Sequence, residues 1–76
     1  MQNLIMEFRI RHTHTAVELA LDNGGTGMYI ISSVHNYDNE LRPAVRIEEC
    51  RIADRDLALL AFDHHCKRLV GDWKVG

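Results

Sequence analysis

The chain has 76 residues, 46% of them apolar, and nine Lys and Arg against eleven Asp and Glu give a formal charge of −2. That length supports one small domain spanning residues 1–76, and that apolar fraction excludes a disordered chain. Both charge signs are interspersed without a basic stripe, which argues against nucleic acid as a partner. The longest apolar run, Leu57 to Phe62, is far too short to span a membrane.

Met1-Gln2-Asn3-Leu4 carries no basic segment ahead of a long apolar one, so no secretory signal is expected. Cys50 and Cys66 can pair at most once, and nothing marks a disulfide framework. The expectation is free thiols in a reducing cytoplasm.

From Glu7 to His14 the even positions Phe8, Ile10, His12 and His14 oppose the odd Glu7, Arg9, Arg11 and Thr13. Period two with one charged face predicts a half-buried strand. After Thr15 the phase switches to Val17, Leu19 and Leu21. One reading carries the strand on to Leu21 through a bulge near Thr13–Ala16. The other makes Thr15-Ala16-Val17-Glu18 a capping box that opens a short helix over 15–23.

Asp22-Asn23-Gly24-Gly25 ahead of Met28-Tyr29-Ile30-Ile31 is hairpin chemistry and favours the strand. The next strand runs from about Gly27 to Val34, with Met28, Ile30 and Val34 on one face. A polar loop over 35–43 follows. A third strand, Ala44 to Ile52, turns Val45 and Ile47 inward, changes phase at Glu48-Glu49, and finishes with Cys50 and Ile52 inward. Pro43 suits its start because it lacks an N–H.

Asp54 is a helix N-cap, Asp56 suits the first turn, and Gly71 is the expected C-cap of a helix ending near Val70. Leu59, Phe62, Cys66, Leu69 and Val70 form one stripe on that helix, which Trp73 extends. The fold expected is α+β: a bulged, meander-like, three-stranded antiparallel sheet with one C-terminal helix packed on one face.

Four of the five histidines fall in two runs, His12-Thr13-His14 and His64-His65-Cys66. Imidazole is the commonest metal ligand, so His12, His14, His65 and Cys66 are a candidate zinc set if the helix crosses that end of the sheet. Against this, no cysteine-rich knuckle is present, and Cys66 lies within the apolar stripe, where it serves as a small buried hydrophobe. Adjacent helical positions diverge, so a Cys–His dyad is not formed either. No phosphate loop or nucleophile turn is visible, and a non-enzymatic protein without a cofactor is expected.

Two surfaces remain. The loop over 35–43 places Tyr37, Asp38, Glu40 and Arg42 together, and it includes types that dominate binding hot spots. The helix carries Leu57, Leu60 and His64 on a face next to its core stripe, and this predicts a homodimer interface. The expected function is therefore a protein-binding module of adaptor or inhibitor type. A zinc-binding domain is the first alternative, and nucleic-acid binding by Arg9, Arg11 and Arg46 on the open sheet face is the second.

Overall fold

The alternating segments resolve into four strands rather than three. In the computed structural model, which describes residues 2–10, 13–38 and 41–75, the order is β1 (Gln2–Ile10), β2 (Thr15–Asp22), β3 (Tyr29–His35), β4 (Val45–Ile52) and α1 (Arg55–Val75). The strands form one antiparallel meander in chain order. The α+β class and the single C-terminal helix stand. The strand count is corrected.

The difference lies in the segment read as one bulged strand from Glu7 to Leu21. The chain turns back between the end of β1 at Ile10 and the start of β2 at Thr15, and His14, just before β2, adopts a left-handed φ of 55°. Beyond it, Thr15–Asp22 is a strand, so there is no helix over 15–23. The first bulge lies elsewhere, in β1, where the register shifts between Leu4 and Met6. Residues directly opposite in an antiparallel ladder share a face. The shift therefore turns Leu4 toward the face of Ala20 and Met6 toward the face of Leu19.

The second bulge falls where the phase change indicates. Ile31 opposes Cys50 while Ser32 opposes Glu48, which leaves Glu49 as the extra residue.

The β2–β3 turn is organised by Asp22. Its backbone carbonyl accepts from Gly25 N at 3.3 Å and Gly27 N at 3.0 Å, and its own N–H donates to Met28 O at 2.9 Å. Its carboxylate accepts from both the backbone N and the hydroxyl of Thr26 at 3.1 Å. Gly24 at φ 92° and Gly27 at φ 72° supply the two left-handed positions, which a side chain would strain.

Asp54 caps α1 as expected, accepting from Leu57 N at 3.1 Å. The helix does not stop at Gly71 but continues to Val75. No helix among the described residues is long and apolar enough to cross a membrane.

The helix packs over β2, β3 and β4. Val17, Leu19, Ile31, Ala58 and Phe62 form the core, with Phe8, Tyr29, Cys50, Ile52, Leu59, Cys66 and Leu69 around it. On the opposite, open face, Ala16, Ala20, Ile30, Ser32 and Val34 are also buried. Three of these five are short side chains on central strands. Longer charged ones flank them: Arg46 pairs with Glu18 at 2.9 and 3.2 Å, Arg51 with Glu48 at 2.9 Å, and Arg9 with Glu7. Extended arms shield what lies beneath them.

The hydrogen bonds from Thr26 hold the Asp22 carboxyl below the usual carboxylate range, with Arg51 adding a smaller effect. A depressed carboxyl stabilises the fold above about pH 4 and loses that contribution as pH falls through its folded value. The stability gap between wild type and Asp22→Ala, measured by urea unfolding, should therefore be larger at pH 7 than at about pH 2.5. An equal gap at both would mean that the carboxylate charge contributes nothing to the turn.

Candidate functional site

Strands spaced by about 4.8 Å make a four-stranded sheet wider than one helix of about 10 Å. Both flanks of α1 are therefore incompletely covered. On the β1 side an apolar groove of about 510 Å³ opens between Met6 and Phe8 on the sheet and Leu59, Phe62, Cys66 and Val70 on the helix. Glu7, Asp63 and Lys67 rim it, the latter two ion-paired at 2.8 Å. On the β4 side a smaller notch of about 90 Å³ is lined by Val17, Ser33, Glu49, His65, Arg68 and Leu69.

On its far side the helix exposes Leu57 (57%), Leu60 (68%) and His64. The sheet does not curl round to cover them. Their i, i+3, i+7 spacing sets them in one stripe, opposite buried Ala58 and Phe62.

The loop after β3 is tied down over its first residues. Asn36 N and Tyr37 N both donate to His14 O, at 2.7 and 3.3 Å, and His14 Nδ1 meets Asp38 Oδ1 at 2.5 Å. Asn36, like His14, takes a left-handed φ, here 61°. Arg9 lies over the Tyr37 ring, 4.9 Å from its centroid. Tyr37 is thus half-buried rather than a free contact, and its Oη is enclosed with no hydrogen-bond partner among the described residues. Leu41 (94% exposed) and Arg42 stand out in solvent beyond it. Glu40 lies outside the described residues.

The candidate zinc ligands are not brought together. His14 sits in the reversal before β2 on Asp38, His65 lines the β4-side notch, and Cys66 lines the β1-side groove. His12 lies outside the described residues. Among those described, no group of three or more His, Cys, Asp or Glu side chains is placed to hold a metal ion.

Both thiols are free. Burial, with a smaller effect from Asp63, pushes the Cys66 thiol up to about 11. Burial and the neighbouring Glu49 and Glu48 push Cys50 up as well. A thiol that resists ionisation is a poor nucleophile and a poor ligand.

Of the arginines proposed for nucleic acid, Arg9 and Arg46 lie on the open face, each committed to a carboxylate. Arg11 lies outside the described residues. The groove and the β1 edge were missed in sequence. Their signal was the apolar Leu4-Ile5-Met6, which stands exposed along the edge strand. Comparison with protein-family models, curated proteins and solved structures finds no match to the chain.

An enclosed, unpaired hydroxyl costs about 1–3 kcal/mol, so Tyr37→Phe should leave the fold as stable or raise its stability by about 1 kcal/mol. Chemical denaturation measures this, and a loss of 1 kcal/mol or more would reveal a hydrogen bond at Oη. At pH 8 a maleimide should label Cys66 in the Cys50→Ala variant about 100-fold more slowly than in the unfolded chain, because burial pushes the thiol up to about 11 and leaves far less thiolate to react.

Proposed function

We propose that the protein is a non-enzymatic binding module, of adaptor or inhibitor type, that works by covering part of another protein's surface. The observation that carries this reading is the leucine stripe on α1. Leu57 and Leu60 are exposed on a helix whose opposite side already completes the core. Apolar residues in such a stripe gain roughly 1.5–3 kcal/mol each when fully covered. An interface is the usual setting for such a patch. His64 continues the stripe.

The loop adds a second contact in this reading. Tyr37 and Asp38 act as its anchors through Arg9 and His14, and the solvent-facing Leu41 and Arg42 are the residues a partner meets. Glu40 belongs to the same proposed contact. A loop held at its base loses less entropy on binding than a free one. The reading also includes self-association as a homodimer, with a cytoplasmic setting for the assembly.

The experiment is affinity capture from cells with wild type, Leu57→Asp/Leu60→Asp and Leu41→Ala/Arg42→Ala, each with its fold checked by circular dichroism. The helix variant should lose the captured protein at least tenfold, and the loop variant should weaken capture to a lesser degree. Unchanged capture by the helix variant would remove the stripe as the binding surface.

A further inference from the structure

The two edges of the sheet are unlike. β4 carries Arg46, Glu48, Glu49 and Arg51 and a bulge at Glu49, features that discourage further strand pairing. β1 is nine residues long, has neither Pro nor Lys, and exposes Leu4, Ile5 and Met6. Its bulge lies near one end, so Met6–Ile10 is a regular five-residue edge centred on Phe8. Beside this edge runs the apolar groove floored by Met6 and Phe8.

We propose that β1 pairs antiparallel with β1 of a second copy of this chain, about a twofold axis through Phe8, to make an eight-stranded sheet. The inference rests on the homodimer part of the functional reading and does not depend on capture of another protein by the helix. It moves the self-contact from Leu57, Leu60 and His64 to the sheet edge.

The β1 edge is self-complementary. About Phe8, Met6 of each copy opposes Ile10 of the other, and Phe8 opposes Phe8. All three lie on the helix side, where the two grooves face each other across the axis. On the open side, Glu7 of each copy opposes Arg9 of the other, so the Glu7–Arg9 ion pair within each chain joins its counterpart in a four-charge cluster of alternating sign across the axis. The match extends inward through the ladder. Glu7 continues a row through Glu18 and Ser32 to Glu48, while Arg9 continues a row through Ala16 and Val34 to Arg46. Across the axis an acidic row in one copy runs on into a basic row in the other, twice. An axis on Glu7 or on Arg9 would instead set like charges against each other, which destabilises cross-strand pairs. Charge pattern therefore selects the register as well as the partner.

Light scattering on the purified chain at about 100 µM should give twice the 8.7 kDa monomer mass. Glu7→Arg alone presents two cations to two cations, and Arg9→Glu alone presents two anions to two anions. Each should run as a monomer, and an equimolar mixture of the two should recover the dimer. The double reversal, Glu7→Arg with Arg9→Glu, keeps opposite charges within the chain. It should dimerise with itself while failing to exchange with wild type, and this decides the matter if either single variant does not fold. Leu60→Asp should remain dimeric whatever happens to its capture of another protein. A monomeric wild type, single variants that stay dimeric, a mixture that stays monomeric, or a dimer lost in Leu60→Asp would each overturn the proposal.

Discussion

One helix cannot roof four strands, and most of what this molecule exposes follows from that mismatch. The helix covers the middle of the sheet, so β2 and β3 are buried on the face where Leu19 and Ile31 meet Ala58 and Phe62. The edge strands receive less. Met6 on β1 and Val45 and Ile47 on β4 all remain close to half exposed. The groove on one flank of α1 and the notch on the other are the two margins of the same roof.

The open face meets the problem by other means. It has no second layer among the described elements, yet Ala16, Ile30 and Val34 on its central strands are almost fully covered. Short residues in the middle rows and long ion-paired ones alongside them make a thin cover of methylene stems. Exposed pairs of this kind contribute at most about 1 kcal/mol apiece as electrostatic terms. The bidentate pair of Arg46 with Glu18 is the best placed, because Nε and Nη2 of one guanidinium donate to the two oxygens of one carboxylate across β3. Because Arg46 opposes Val34 and Glu18 opposes Ser32, the pair reaches from β4 to β2 across the middle of β3.

Much of this architecture was legible in the residues. The Asp22-Asn23-Gly24-Gly25 turn, the extra residue at Glu48-Glu49, the Asp54 cap and the core stripe of α1 all follow from local chemistry that the structure retains. The reversal between β1 and β2 did not announce itself, because the sequence Arg-His-Thr-His that follows Ile10 contains none of the usual turn residues. His14 there takes a backbone conformation ordinarily left to glycine or asparagine. Hidden with it was β1 before Glu7, whose alternation is broken by the bulge at Ile5. Gly71 misled in the opposite sense, since a helix can run through a glycine at modest cost. The anchoring of Tyr37 and Asp38 was out of reach for another reason. Their partners Arg9 and His14 lie more than twenty positions away and become neighbours only once β1, β2 and β3 are in register.

The plain meander order also shapes how the chain reaches its fold. Every strand pairs only with its neighbours in the chain, so no ladder has to wait for a distant segment to arrive. The β2–β3 hairpin closes over the Asp22 turn, and hairpins of this kind form in about 1–10 µs. β1 and β4 flank that hairpin on its two sides, and α1 packs on the Leu19 and Ile31 that it contributes. Pairing between chain neighbours keeps the loops that must close short, and so limits the entropy lost before the sheet forms. It also leaves the two edge strands each held by a single ladder, where the central strands have two.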